Sequence, residues 1–249
     1  MTEASNSRPL ATELFRNRRS LPSLTFSGSL RGETLQASAT LPSEELARAA
    51  YNALAFLPAR ALVKTARIEL SPAGLRVTGT DAYAIGQDTA PVEDYDGPPG
   101  GVTLHVGRDA LGDLDTAGRK DKRGFGRLDL MPGDGLVFRP GNNDTPSTAQ
   151  DASAQADERM WGMLDSLFTR LEGRPAALPE LVAFDPALLA RFSKVKAPKG
   201  KDGLGRALDM CVYDSKEPIL IKIGPTFRGV IMPIDREVHE ENVGQDGLW

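Results

Sequence analysis

Apolar residues along this chain switch between a period of two and a period close to 3.6, and the switches recur in one order. Leu24-Thr25-Phe26 and Leu35-Gln36-Ala37 alternate as strands joined through Arg31-Gly32. The spacing then turns helical. Ser43 reads as an N-cap with Glu44 and Glu45 in the first turn, and Leu46, Ala50, Ala53, Leu54 and Leu57 make one face until Pro58 stops it. Ala66-Arg67-Ile68-Glu69-Leu70, Leu75-Arg76-Val77-Thr78-Gly79 and Tyr83-Ala84-Ile85 follow as antiparallel strands, the first two joined by a Ser-Pro-Ala-Gly turn.

The same order returns twice. A strand over 102 to 106 leads into a helix carrying Ala110, Leu111 and Leu114, then strands over 125 to 130 and 136 to 139. In the third copy a strand over 181 to 184 precedes a helix with Asp185 as N-cap and Pro186 at its first position, whose apolar face is Leu188, Leu189, Phe192 and Val195. Strands over 207 to 213, 219 to 223 and 227 to 231 complete it. A strand-helix-strand-strand-strand unit recurring at roughly 60 to 75 residues predicts a pseudosymmetric α+β protein, an array or a ring. Residues 141 to 157 are rich in Asn, Asp, Thr, Ser and Ala and read as a linker. Met160, Trp161, Met163, Leu164, Leu167, Phe168 and Leu171 then form a strongly apolar helical stretch ending at Gly173, either packed into a core or presented at a domain junction. The expected organisation is an arm over 1 to 20, a first domain over 21 to 140, a linker with the apolar helical segment over 141 to 177, a shorter second domain over 178 to 236, and an acidic tail over 237 to 249.

Composition narrows the function. With 249 residues, 40% of them hydrophobic, the chain can bury a substantial core. It has no apolar run of the roughly 18 to 20 residues that a membrane span needs, and no apolar centre of a secretory signal near its start, so a cytoplasmic protein is expected. Cys211 is the one cysteine, which leaves no intrachain disulfide and no cysteine-zinc cluster. A net charge of -4 argues against coating nucleic acid by bulk positive charge, but the basic residues cluster: Arg119, Lys120, Lys122 and Arg123, and again Lys194, Lys196, Lys199 and Lys201. His105 and His239 stand far apart without metal-ligand spacing, and no phosphate-binding loop, nucleophile elbow or dinucleotide fingerprint occurs. Acidic pairs such as Asp113 and Asp115 read as solvated, and Asp81 after its strand reads as a turn residue binding local amides. No enzyme, cofactor or metal is expected.

The end of the third copy is the most distinctive stretch. Glu217-Pro218-Ile219-Leu220-Ile221-Lys222-Ile223, a Gly224-Pro225 turn, and Phe227-Arg228-Gly229-Val230-Ile231-Met232-Pro233-Ile234 read as a closing hairpin. It resembles the last hairpin of bacterial-type DNA polymerase sliding clamps, which ends in Met-Pro. The strand ending Gly79-Thr80-Asp81, the Leu57-Pro58-Ala59 helix exit and the Phe184-Asp185-Pro186-Ala187-Leu188-Leu189 junction are similar to clamp patterns as well. Together the resemblance covers most of residues 33 to 235. Complete clamp domains contain two half-units, so four are expected at this length, where the pattern supports three.

The resemblance implies a DNA clamp-like fold with helices inside a ring and antiparallel sheets outside. It also implies a processivity factor that encircles duplex DNA without sequence preference, tethers a DNA polymerase, is opened by an ATP-driven clamp loader and self-associates, as a trimer in the expected case. Ala187, Ala190, Arg191 and Lys194 lie opposite the apolar stripe of the third helix, so Arg191, Lys194, Lys196, Lys199 and Lys201 are the expected DNA contacts. Asp109, Asp113 and Asp115 on the second helix oppose such a role there. By resemblance, Met232 and Pro233 belong to a groove for partner peptides, bordered by Val230 and Ile234, with Met163, Leu164 and Leu167 as a second wall. The rival reading is a clamp-fold interaction scaffold that no longer encircles DNA, which the net charge and the acidic second helix favour.

Overall fold

The computed structural model describes residues 36–60, 63, 65–121, 124–131, 135–141, 147–149, 158–177, 182–198 and 207–234. The expected strand at 24 to 26, the N-terminal arm and the acidic tail lie outside these residues, as do Lys199 and Lys201.

The first unit is β1 (Ala37–Pro42), α1 (Ser43–Leu54), β2 (Thr65–Ser71), β3 (Gly74–Thr80) and β4 (Ala84–Ala90). After the short β5 (Asp94–Asp96), the second unit repeats the order as β6 (Val102–Gly107), α2 (Arg108–Lys120), β7 (Phe125–Met131), β8 (Gly135–Pro140) and β9 (Ser147–Ala149). The two units exchange their first strands: β1 pairs with β7, and β6 pairs with β2. Neither unit closes a sheet by itself. One sheet has the order β5-β1-β7-β8-β9, and α1 and α2 pack between it and the second sheet. Leu41, Leu128 and Leu130 from one sheet, Ile68, Leu70 and Val77 from the other, and Leu46, Leu111 and Leu114 from the helices form this core. Each such side chain is worth about 1.5 to 3 kcal/mol in burial. The helices touch where a Cβ on Gly118 would lie 2.5 Å from the Ser43 carbonyl oxygen, so only glycine permits the crossing.

Helix α1 starts one residue earlier than its pattern suggests. Pro42 occupies the N-cap position with no side-chain bond, and Ser43, fully buried, donates from its hydroxyl to Asp121 Oδ2 at 3.1 Å. The Ser43 amide donates to the Gly124 carbonyl at 3.0 Å, so both the amide and the hydroxyl of this residue serve tertiary contacts to the segment after α2.

Helix α3 (Glu158–Glu172) packs on the face of the second sheet opposite α1 and α2. Phe168 and Leu171, with Leu164 and Leu167, meet Ile85, Tyr213, Leu220 and Val230. The Arg67 guanidinium lies 5.1 Å from the Trp161 ring and donates to Asp165 Oδ2 at 2.8 Å, and Arg228 stacks on Phe168 at 4.4 Å while pairing with Glu172 at 2.5 Å. Among the described residues, 158–177 form this single helix and its exit, while β9 extends the first sheet from within the expected linker.

In the third unit Asp185 caps α4 (Pro186–Phe192), accepting the Ala187 amide at 2.7 Å, and β10 (Leu208–Cys211), β11 (Ile219–Ile223) and β12 (Phe227–Ile231) follow. The expected strand before α4 is absent over 182–185. Val182 and Phe184 instead pack against the α4 cluster, and Ala183 accepts one amide, that of Ile234, at 2.8 Å. Strand β12 pairs with β4, Val230 opposite Ile85, so the last unit joins the second sheet in the order β10-β11-β12-β4-β3-β2-β6. Ile219, Ile221, Phe227 and Ile231 pack with Leu188 and Phe192 of α4, whereas Leu220 and Val230 lie under α3. That split is the alternation a strand buried on both faces produces.

Candidate partner and nucleic-acid surfaces

Strands β3 and β4 are joined by a turn held in an uncommon conformation. Ala82 has φ 81°, a region costly for a residue with a Cβ, of order 1 to 3 kcal/mol. Neighbouring side chains hold it there. Asp81 Oδ1 accepts the amides of Tyr83 at 3.0 Å and Ala84 at 2.9 Å, and Thr80 Oγ1 accepts the Ala82 amide at 3.0 Å while donating to the Ala84 carbonyl at 3.0 Å. Asp81 therefore binds local amides, as its position after a strand predicts. The result is that Tyr83 stands 56% exposed.

Beside it runs the chain leaving β12. The Met232 amide donates to the Tyr83 carbonyl at 3.1 Å, Met232 is 37% exposed, and Pro233 and Ile234 are half-buried. Tyr83 and Met232 thus form an apolar surface patch on adjacent, hydrogen-bonded segments. Val230, by contrast, is buried beneath α3 in one cluster with Leu164 and Leu167, and Met163 is 68% exposed on that helix. A cavity of about 710 Å3 bounded by Glu45, Glu69, Arg76, Thr89 and Thr226 opens at the other end of β3 and β4. Among the described residues no group of His, Cys, Asp and Glu side chains could hold a metal ion.

The basic residues divide. Ala187, Ala190 and Lys194 are exposed on or just after α4, but Arg191 turns back and donates from Nη1 to Asp81 Oδ2 at 2.5 Å. Lys196 places Nζ 3.8 Å from the centroid of the Tyr51 ring on α1, and Arg119 of α2 lies 4.8 Å from the same centroid. Both distances suit cation–π attraction. Burial, and then the neighbouring Arg119 charge, hold the Lys196 ammonium below the ordinary lysine range, against the pull of Asp115. Arg119 also pairs with Asp115 at 2.5 Å, which offsets one of the acidic charges on α2, while Asp109 and Asp113 remain exposed. Two cations from separate units over one ring form a compact positive surface with Lys120 and Lys194 exposed beside them in sequence.

The arrangement of repeated units, helices between exchanged sheets and a hairpin closing on the Thr-Asp turn has counterparts among solved structures. A putative DNA polymerase III beta subunit from Eubacterium rectale superposes with a TM-score of 0.56 at 13% identity, covering 84% of this chain and 68% of that one. The fold is that of a bacterial sliding clamp. The clamp from Bacillus subtilis gives a TM-score of 0.55 at 12% identity, covering 84% and 67% of the two chains, and the Pseudomonas aeruginosa clamp bound to griselimycin gives 0.54 at 12%, covering 84% and 68%. No family model matches the sequence, and no curated protein matches it. The clamp fold agrees with the α+β architecture expected from the repeating pattern.

Tyr83, Tyr51 and Arg119 were not among the site residues expected from sequence. Tyr83 carried a signal, a large apolar ring at a tight turn after Thr80-Asp81. Tyr51 carried none, because its place beside Lys196 depends on packing between units far apart in the chain.

Proposed function

We propose that this chain is a non-catalytic sliding clamp, a processivity factor whose copies close into a ring around duplex DNA and tether a DNA polymerase. The clamp fold over most of the chain is the observation that carries the reading. Binding is topological. The positive surface of Arg119, Lys120, Lys194 and Lys196, continued in the chain by Lys199 and Lys201, meets phosphates without reading bases, so the ring moves along the duplex. Tethering raises the effective concentration of polymerase at the template. The partner surface is Tyr83 with Met232, Pro233 and Ile234, where adaptable methionine beside rigid proline suits several related peptides from polymerase and clamp loader. Self-association, with a trimer as the expected ring, uses sheet edges: β10 ends the seven-stranded sheet and leaves Leu208 and Met210 more than a third exposed.

The test is retention on closed circular DNA against the same DNA after linearisation, at moderate salt, with native mass recorded in parallel. A clamp stays on the circle, runs off the linear ends and has the mass of a closed oligomer. Equal loss from both, from a monomeric protein, removes encirclement. The exposed Asp109 and Asp113 on α2 favour the second reading, a clamp-fold scaffold that binds partners but not DNA, and that outcome would support it.

A further inference from the structure

Arg191 was expected among the DNA contacts because it lies on the small, basic face of its helix. Its side chain is instead mostly covered, 17% exposed, and its guanidinium is bound to Asp81 Oδ2 at 2.5 Å. The other oxygen of the same carboxylate holds the Tyr83 and Ala84 amides. One carboxylate therefore joins α4 to the turn that projects Tyr83 beside Met232. That turn is the conformationally costly one, with Ala82 at φ 81°, and it persists only while its surroundings over-determine it.

We infer that Arg191 is a positioning residue for the partner surface: by fixing the Asp81 carboxylate it holds the β3–β4 turn in the form that presents Tyr83 to a docking peptide. The inference rests on the partner surface proposed above. A charge-assisted hydrogen bond is the strong kind, and with Oδ2 held by the Arg191 guanidinium the Asp81 carboxylate cannot rotate away from the two amides on Oδ1. With a neutral, shorter-reaching side chain at 191 the carboxylate turns toward solvent, the Ala82 conformation relaxes, and Tyr83 is no longer presented beside Met232. The segment carrying Arg191 is also the one leading to Lys194 and Lys196, so the turn and the positive surface share a mechanical link.

The full chain is compared with Arg191→Gln, Arg191→Lys and, as a control for charge on the same segment, Lys194→Gln. Amide hydrogen exchange at Tyr83 and Ala84 is read in the free proteins. Binding is read with overlapping fluorescein-labelled peptides covering the cognate replicative polymerase, and DNA retention on closed circles. Arg191→Gln is expected to speed exchange at both amides and to weaken peptide binding by about tenfold, the loss of one charged hydrogen bond. Arg191→Lys recovers most of both, and Lys194→Gln changes neither. DNA retention falls no further in Arg191→Gln than in Lys194→Gln. Unchanged exchange at Tyr83 and Ala84 in Arg191→Gln overturns the inference, as does a selective loss of DNA retention with those amides still protected. If the parent binds none of the peptides, the partner surface fails, and the exchange measurement still decides what Arg191 does to the turn.

Discussion

The side-chain amide of Asn52 on α1 holds the main chain of Lys196 from both sides: Oδ1 accepts the Lys196 amide at 2.8 Å and Nδ2 donates to the Lys196 carbonyl at 2.8 Å. Nδ2 also reaches Asp88 Oδ2 at 2.6 Å, and the Arg48 guanidinium meets the same carboxylate oxygen and Thr226 Oγ1. A buried network thus fastens the first unit to two segments of the third. Asn52→Ala leaves the buried Asp88 short of a donor and the Lys196 peptide unpaired, so it should lower stability by roughly 2 to 3 kcal/mol in denaturant unfolding. A loss under about 0.5 kcal/mol, the scale of an ordinary surface change, would mean that water replaces the amide without cost.

Charge reversal of Lys194 and Lys196 together should shorten retention on circular DNA. If each makes one phosphate contact, the salt dependence of binding flattens by about one unit of slope per residue, equally for all sequences. Arg119→Glu should add to the effect, because Arg119 shares the Tyr51 ring with Lys196. Unaltered retention in the triple variant takes this surface off the DNA.

Met232→Ala and Tyr83→Ala should each weaken binding of a polymerase-derived peptide by about tenfold while leaving thermal unfolding nearly unmoved, since both side chains are substantially exposed. The same peptide should be tested on a chain ending before Glu237. Folded variants that bind as tightly as the parent would count against the patch, and tighter binding after truncation would mean that the tail occupies it.

Asp165 supplies a pH-dependent anchor for α3. Its hydrogen bond to Arg67 holds the carboxyl below the ordinary carboxylate range, so its contribution is complete above the unfolded pKa and is lost as pH falls through the lower folded value. Because Asp165 is half exposed, solvent screens much of that contribution. Trp161, which packs against Arg67 and His105, should report weaker α3 docking by fluorescence as acid is added, and the acid-dependent change should be smaller in Asp165→Asn. An identical acid profile in the variant would assign the change to other carboxylates.

Local rules exposed much of the fold. Asp185 and Pro186 mark the start of α4 because capping depends on neighbouring residues alone, and the alternation of Ile219, Ile221 and Ile223 gives β11 directly. The strand expected before α4 did not form, because its apolar residues had a cluster to join instead of a strand partner. The long apolar helix over Trp161, Phe168 and Leu171 was evident, but the sheet face it covers was not, since that choice lies in Arg67 and Arg228 on remote strands. The candidate surfaces divide on the same line. Met232 and Pro233 are motif residues, whereas the fold-back of Arg191 onto Asp81 is a contact across 110 positions that no helical wheel contains.

The exchange of first strands between the two opening units has a consequence for how the protein is made. Ala39 finds its partner Leu128 only after α1, five strands and α2 have been synthesised, and β2 waits for β6. Pairings so distant close late and slowly, and until then β1 and β2 each expose an unmatched edge. A nascent chain released before β7 would hold two half-sheets ready to pair with those of a neighbour, so truncations between β4 and β7 should accumulate as aggregates rather than as small folded domains.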